Sequence, residues 1–380
     1  MSENFFDSFN NESGEGQDLS YVVGLYEDAC AEGKEDSLDL SEEEYLYLIE
    51  YLINSDDDDN ALKMCEIAFS RHPYSSEILV KYADALILAG EHQKAAQLLD
   101  CYKDSFCQNV DMSVLYARIS ICNGDFDTAL TYVEQALSAN GKSAELADAV
   151  IALAQDCMDT ENYKEAVHFF MESDKIAPIS YECYNDLAYC CERMNDLEKA
   201  IQYYNMYLDK DPFNDNVWFN LGTIFAGQGV FDKAIEAFEY SLVLNGSNSS
   251  SLYNLAIVYL NLERFVESAE TFARFNACEE DNIAGLLGQA NALLGLHDFA
   301  QARKLFRKVQ KLDSECIEAK MGLEAMLAIE DYLDGLNDSF LLRIDNIVRT
   351  DVSWINTMRR LVPQLNDDWN FINYLKSIKK

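Results

Sequence analysis

The sequence predicts an all-α protein, an α-solenoid assembled from about eight helical hairpins, and three observations lead to this prediction. Small residues recur 34 residues apart along most of the chain. Around them, apolar residues recur at three- and four-residue spacing, which is the period of an amphipathic helix. Only four of the 380 residues are Pro, which helix interiors tolerate poorly. Because one hairpin cannot bury its apolar face alone, such hairpins stack into an array.

The hairpin at residues 216–245 shows the pattern most clearly. Its first helix carries Trp218, Leu221, Gly222 and Phe225 on one face, and its second carries Phe231, Ala234, Ile235, Phe238 and Leu242. Gly222 and Ala234 are small enough for two helix backbones to approach closely. They are therefore predicted to mark the contact between the two helices, with the large side chains filling the space around it.

The small residue of the second helix sets the register of the whole array. It recurs as Ala61, Ala95, Ala129, Ala166, Ala200, Ala234, Ser268 and Ala302. The spacing is 34 residues except for one step of 37, where Ala144–Leu146 are predicted to be a small insertion. Pro73, Pro178 and Pro212 share one place near the end of the repeat, where one helix cannot continue and the next begins. The predicted repeats are 42–75, 76–109, 110–143, 147–180, 181–214, 215–248, 249–282 and 283–316.

This pattern resembles the tetratricopeptide repeat (TPR) family. The family places Trp, Leu, Gly and Tyr in its first helix, here helix A, and Ala, Phe, Ala and Pro in helix B. In this chain Trp218, Leu221, Gly222, Phe225, Ala234 and Phe238 match the signature in the sixth repeat. The first repeat departs most, with Ile49 at a small-residue position. The resemblance implies a right-handed superhelix, and HEAT and ankyrin repeats fit the period and the pattern less well.

The two ends of the chain do not follow the repeat. Residues 1–19 are predicted to be an acidic disordered tail. Its cluster of Phe5, Phe6 and Phe9 is interpreted as a short docking motif or as an arm folded onto the first repeats. Residues 20–41 are predicted to form an N-terminal helix and a link. Residues 317–380 are predicted to be capping helices, because an array needs its last apolar face covered.

Composition restricts the class of partner. The net charge of −38 disfavours nucleic acid and anionic membrane surfaces, and no run of apolar residues is long enough to span a membrane. A protein or peptide partner that is neutral to basic is therefore expected. The eleven Cys show no metal-binding or CxxC spacing, and several, such as Cys65, Cys157 and Cys191, fall on predicted buried faces. Free thiols in a core predict a cytoplasmic protein.

An enzyme is not expected from the sequence. Only four His exist, each in a different repeat and none at a spacing that suggests a nucleophile and its base. The run of four Asp at residues 56–59 lacks the Gly and Glu that an EF-hand requires at fixed places, so it is interpreted as a solvated turn. We therefore predict no cofactor, no metal and no catalytic residue.

The resemblance to TPR proteins implies where a ligand would bind. In these arrays helix A lines the concave side, so positions 2, 5, 6, 9 and 12–13 of each repeat would face the groove. The candidate peptide-binding residues at these places are Asn185, Tyr189, Phe219, Asn220, Thr223, Tyr253, Asn254, Ile257, Leu287 and Asn291. The corresponding positions of the first three repeats, which include Glu43, Glu50 and Asp84, are more acidic.

Asn220 and Asn254 both occupy position 6. A row of side-chain amides can donate to and accept from the backbone of an extended peptide without selecting its sequence. Polar residues on an exposed helix face explain the same pair, and Asp186 and Gly288 interrupt the row on either side. Position 5 holds no Lys in any repeat, so a clamp for a C-terminal carboxylate, which the family builds on such a Lys, is disfavoured.

Together these observations predict a non-enzymatic interaction adaptor that binds an extended peptide or protein segment in the TPR groove. The alternative is an assembly subunit that self-associates, or docks on an acidic neighbour, through its basic C-terminal helices. An enzyme with its site in the irregular region 317–380 is a third interpretation.

Overall fold

The structure is a computed structural model, and it describes residues 19–102, 110–333 and 338–378. In these ranges the chain forms twenty-one α-helices and two short 3-10 helices, and no strand occurs. The prediction of an all-α fold is confirmed. The chain divides into two compact units, Met1–Asp196 and Leu197–Lys380. Each unit is described by itself.

The first unit contains ten of the α-helices. They are α1 (Tyr21–Glu32), α2 (Glu42–Asn54), α3 (Asp58–Arg71), α4 (Ser76–Leu88), α5 (His92–Tyr102), α6 (Val110–Cys122), α7 (Phe126–Asn140), α8 (Ala144–Asp159), α9 (Tyr163–Ile176) and α10 (Cys183–Arg193). Consecutive helices pack on one another, and α2, α4, α6 and α8 also pack side by side in a row. This is the packing of a helical repeat array, as the sequence predicts.

The second unit contains eleven α-helices. They are α11 (Leu197–Leu208), α12 (Asp215–Gly227), α13 (Phe231–Leu244), α14 (Ser249–Asn261), α15 (Phe265–Cys278), α16 (Ile283–Gly295), α17 (Phe299–Leu312), α18 (Ile317–Leu333), α19 (Asp338–Thr350), α20 (Ser353–Leu361) and α21 (Trp369–Ile378). Here α12, α14 and α16 form a row of first helices like the row in the first unit. This row carries most of the predicted site.

Close helix contacts occur where the sequence has small residues. A Cβ atom on Gly222 would come within 2.6 Å of the Phe238 ring. Helices α12 and α13 can therefore approach this closely only because residue 222 has no side chain. Ala83, Ala154 and Ala256, which occupy the same position in other repeats, are fully buried. The small residues therefore set the distance between helices.

Helices outside the predicted repeats share apolar cores with the first and the last predicted repeat. Val22 and Tyr26 of α1 are buried in one core with Tyr45 and Leu48 of α2. At the other end Phe340 of α19 and further residues of α18–α21 are buried in one core with residues of α16 and α17. Burial of this apolar surface stabilises the packing of these helices on the predicted repeats.

The turn inside each predicted repeat has one backbone conformation. Its fifteenth residue has a positive φ between 56° and 75°, although only three of the eight are glycines: Asp56, Gly90, Gly124, Glu161, Asn195, Gly229, Glu263 and His297. The next residue donates its N–H to the carbonyl five residues earlier, as in the 2.8 Å bond from Asn162 to Cys157. This is the Schellman end of an α-helix, in which the left-handed residue is best tolerated as glycine.

We expect Glu161→Gly to stabilise the chain, because the change removes the left-handed strain of a side-chain-bearing residue in an exposed turn. The gain is about 0.5–1 kcal/mol, since the added freedom of the unfolded glycine offsets part of it. Glu165→Gly, four residues further on and inside α9, is the matched control and should lose about 1 kcal/mol. Thermal unfolding followed by circular dichroism measures both changes. Equal effects of the two substitutions would contradict the assignment.

Ala144–Leu146 form the first turn of α8, a helix of 16 residues capped by the hydroxyl of Ser143, so the three extra residues lengthen a helix at its start. The tail at residues 1–18, with Phe5, Phe6 and Phe9, lies outside the described residues. The division into eight repeats with the bounds given above stays a prediction.

Candidate functional site

An open cavity of about 370 Å³ lies on the row of first helices in the second unit. Phe219 of α12, Tyr253 and Asn254 of α14 and Ala284 of α16 all line it. Phe219, Tyr253 and Asn254 are predicted site residues, and the structure brings them together across two repeats. We call this space the aromatic cavity.

Aromatic side chains form the apolar part of the cavity and are held by the core behind them. The Phe219 ring lies 6.1 Å from that of Phe238, between centroids. Tyr253 packs edge-on against Phe272 at 5.8 Å and lies 5.2 Å from Phe275, which also lines the cavity. Because Phe238 and Phe272 are fully buried, the rings above them are positioned before any ligand arrives.

Polar groups surround the rings. Ser249 and Ser250 stand in the first turn of α14, and Asn282 caps α16 by accepting a 3.1 Å hydrogen bond from the Gly285 N–H. Glu279, just after α15, contributes the one charged side chain of the lining. The cavity therefore offers apolar contact, hydrogen-bonding groups and a single negative charge.

The remaining predicted residues of the second unit lie outside the aromatic cavity. Asn220 and Ile257 are half-buried. Thr223 is exposed, but its hydroxyl donates a 3.0 Å hydrogen bond to the Phe219 carbonyl within its own helix. Leu287 is only 8% exposed and belongs to the core shared with the C-terminal helices, so its predicted place in the groove is corrected to a place in the core. Asn291 donates to the Glu318 carboxylate at 3.1 Å.

The pair of amides at position 6 cannot extend toward the C-terminus. At that position Gly288 meets the Phe272 ring, and a Cβ atom there would approach it to 2.2 Å. Any side chain at residue 288 would have to displace a fully buried phenylalanine. The amide row ends at Asn254 for this steric reason.

The first unit holds the other two predicted residues. Asn185 is half-buried, and Tyr189 is 41% exposed with its ring edge-on to Tyr163 at 5.9 Å. The hydrogen bond with Tyr163 raises the pKa of Tyr189. Burial raises the pKa of the neighbouring Asp186. These residues form a small tyrosine cluster on α9 and α10, which also carries the Arg193 guanidinium 5.4 Å from the Tyr163 ring.

Charges on the row α4, α6 and α8 neutralise one another in part. Arg118 donates through Nε and Nη2 to the two carboxylate oxygens of Asp156, at 2.8 and 3.0 Å, and through Nη1 to Asp84. The Arg118 side chain is 19% exposed. The acidic character predicted for this region is therefore moderated by one arginine that joins three helices.

A second cavity of about 550 Å³ lies where the C-terminal helices meet the same row in the second unit. Asn291, Glu318, Trp354 and Arg360 are among the residues that line it. The ring of Trp354 on α20 contacts Phe306 of α17 edge-on at 6.1 Å. Helix α20 thus lies against the predicted last repeat.

Arginines of the C-terminal helices are engaged inside this unit. Arg343 binds Glu324 and Asp331, Arg349 binds Asp345, Arg359 lies over the Phe371 ring, and Arg360 lies over the Phe265 ring beside Glu263. Carboxylates of the same unit therefore neutralise part of the positive charge on which docking through basic C-terminal helices would depend. Such docking stays a prediction.

Sequence reasoning missed most of the residues that line the aromatic cavity. Ser250 and Ala284 occupy position 2, which the register does assign to the groove, so a full list of that position would have included them. Phe275, Glu279 and Asn282 come from the end of helix B and the following turn. The pattern of helix A contains no signal for them.

Two family models match the chain. The Cilia and flagella-associated protein 70 middle TPR-like domain matches residues 184–297, and a tetratricopeptide repeat model matches residues 151–215. The chain therefore contains tetratricopeptide repeats, and the resemblance noted in the sequence is confirmed.

One curated relative matches a short part of the chain. The general transcriptional corepressor trfA of Dictyostelium discoideum is 29% identical over 111 residues, which are 29% of this chain and 8% of that protein. The chain thus spans less than a tenth of the length of this relative. The activity of the whole relative does not transfer on this match.

Solved TPR structures are similar at low identity. YrrB, a TPR protein with an unusual peptide-binding site, is 15% identical, with 50% of this chain and 95% of that chain covered and a TM-score of 0.39. The C-terminal part of a TPR repeat-containing protein from Cytophaga hutchinsonii is 14% identical, with 73% and 98% covered and a TM-score of 0.45. The APC/C hetero-tetramer Cut9–Hcn1 is 14% identical, with 80% and 58% covered and a TM-score of 0.37. These values are too low to say what this chain binds.

At the level of class, the fold is that of protein–protein interaction scaffolds, and TPR proteins are generally adaptors that bind protein partners. Across the described ranges, no helix combines the length and the apolarity needed to cross a bilayer.

Proposed function

We propose that the chain is a non-enzymatic adaptor that binds an extended segment of a partner protein over the aromatic cavity. The observation that carries this proposal is the convergence of side chains from α12, α14 and α16 on one open space. Three successive first helices supply it, so a segment lying across the row would contact all of them. The partner segment is neutral to basic, as the net charge of −38 favours.

The chemistry of the lining supports a peptide as the occupant. Aromatic rings give large contact areas at little cost in side-chain entropy, and they are enriched at protein interfaces. The Asn254 amide and the hydroxyls of Ser249 and Ser250 offer donors and acceptors to a peptide backbone. The volume of about 370 Å³ is at the lower end of the range of ligand pockets, and it suits one or two side chains rather than a cofactor.

We also propose that the protein is cytoplasmic, because it has thiols buried in its core. Cys65 and Cys157 are fully buried, and burial raises the pKa of each thiol to about 12. Such thiols stay protonated and act as small core residues, which suits a reducing compartment.

Obstruction of the cavity tests the proposal. Ser250 is exposed at the rim, so Ser250→Trp should fill the entrance without disturbing the core. Linear peptides selected from a random display library on the unaltered chain should bind this variant at least about tenfold more weakly in fluorescence anisotropy, a loss of about 1.4 kcal/mol. Helical circular dichroism should not change.

Ser314→Trp is the matched control, because Ser314 is also exposed and does not line the cavity. It should bind the selected peptides like the unaltered chain. A library that yields no binding peptide, or peptides that bind Ser250→Trp as tightly as the unaltered chain, would show that the cavity is not a peptide site.

A further inference from the structure

We infer that the side chain received by the aromatic cavity is an arginine of the partner segment. In this arrangement the guanidinium lies against the rings of Phe219, Tyr253 and Phe275 and pairs with the Glu279 carboxylate. The inference rests on the proposed function and specifies its ligand.

Glu279 is the one charged residue in the lining of the aromatic cavity. Glu279 is exposed, and no cationic side chain lines the cavity with it. Among the described residues no ion pair involves Glu279, whereas the nearby Asp281 is paired with Lys308 at 2.6 Å. The cavity therefore presents one uncompensated negative charge, and a cation in the ligand would complete it.

The aromatic rings of the lining suit a guanidinium group. A guanidinium within about 6 Å of a ring centroid is attracted by the negative face of the ring. Arg is better suited to this than Lys, because its planar guanidinium stacks on rings and is more weakly hydrated. Its three methylene groups would contact the apolar surface around the rings.

The same unit twice shows an arginine held by this combination. The Arg360 guanidinium lies 5.7 Å from the Phe265 centroid with Glu263 at 4.0 Å. The Arg264 guanidinium lies 4.5 Å from the Tyr259 centroid and pairs with Glu267 at 2.9 Å. In both places a ring supports the guanidinium and a carboxylate neutralises it. The aromatic cavity has the ring and the carboxylate but no arginine.

Other side chains fit the lining less well. An acidic side chain would face Glu279 and be repelled. A purely apolar side chain would cover the rings but would partly desolvate the Glu279 carboxylate without giving it a partner. Arginine satisfies the rings and the charge together.

Peptide pools with one fixed residue test the inference. The probes are nonapeptides with mixed neutral flanks and a central arginine, citrulline or norleucine, measured by fluorescence anisotropy on the full chain. Citrulline has the shape of arginine without its charge. The arginine pool should bind about tenfold more tightly than the citrulline pool at low salt. Glu279→Gln should greatly reduce this difference and leave only the smaller part that comes from the rings.

Glu280→Gln is the matched control, because it removes the same charge from the adjacent exposed residue that does not line the cavity. It should keep the preference for arginine. Equal binding of the three pools, lost in Ser250→Trp, would overturn the inference and leave the proposed function in place. Binding of no pool would count against both.

Discussion

Phe306→Ala should reduce the stability of the C-terminal part of the second unit by about 3–5 kcal/mol, the cost of truncating a fully buried phenylalanine. Phe306 stands on α17 and fills the space between this helix and the C-terminal helices. A Cβ atom on Gly322 of α18 would come within 2.7 Å of its ring, and Trp354 of α20 packs on it edge-on. An alanine at this position leaves a cavity between α17, α18 and α20, and movement of these helices can fill it only in part.

The loss should be local, because repeat arrays do not always unfold in one step. Trp354 is a natural reporter in a background in which Trp218 and Trp369 are replaced by Phe. Its fluorescence should change at a lower denaturant concentration than the helical circular dichroism. Leu312→Ala, on the same helix but 44% exposed, is the control and should have a much smaller effect. An unchanged Trp354 transition in Phe306→Ala would contradict the role given to this residue.

Arg118→Leu should destabilise the first unit by about 2–3 kcal/mol, since it leaves two half-buried carboxylates without their common partner. Asp84 and Asp156 are 33% and 23% exposed, so solvent screens part of the cost. The substitution keeps an apolar side chain of moderate size, so the loss reports mainly the charges. Thermal unfolding by circular dichroism at neutral pH measures it.

The pH dependence of this variant has a definite sign. Burial raises the pKa of Asp84 even in the presence of Arg118, and removal of the guanidinium should raise it further. A carboxyl with a raised folded pKa destabilises the protein above that pKa, and the penalty is relieved as the pH falls through it. The difference between Arg118→Leu and the unaltered chain should therefore shrink toward acidic pH. Asp84→Asn added to Arg118→Leu should recover part of the lost stability at neutral pH. If Arg118→Leu alone were as stable as the unaltered chain, the three helices would not depend on this arginine.

Most of the fold can be predicted from the local periodicity of small and apolar residues in this sequence. The position of Gly222 against Phe238 follows from small and large residues at helical spacing, and so do the fully buried alanines in the other repeats. The conformation of the turns was harder to predict from the sequence. Asp56, Glu161, Glu263 and His297 adopt the conformation that glycine favours, and their side chains hide it from an inspection of composition.

Long-range packing decided the parts of the site that sequence reasoning missed. Tyr253 and Leu287 occupy the same register position, yet one lines an open cavity and the other is buried. Leu287 belongs to one core with residues of the C-terminal helices, and these helices have no repeat from which their position could be predicted. Glu279 lies beyond helix B, outside any register that describes helix A.

The reach of α20 limits how this array could grow. Arg360 near the end of that helix touches Phe265 and Glu263, which precede the predicted last repeat. A further repeat inserted between this pair and the C-terminal helices would move them about one helix pair away from the arginine. Duplication or engineered extension upstream of Glu263 would therefore keep these contacts of Arg360, whereas an insertion downstream would separate Arg360 from Phe265 and Glu263.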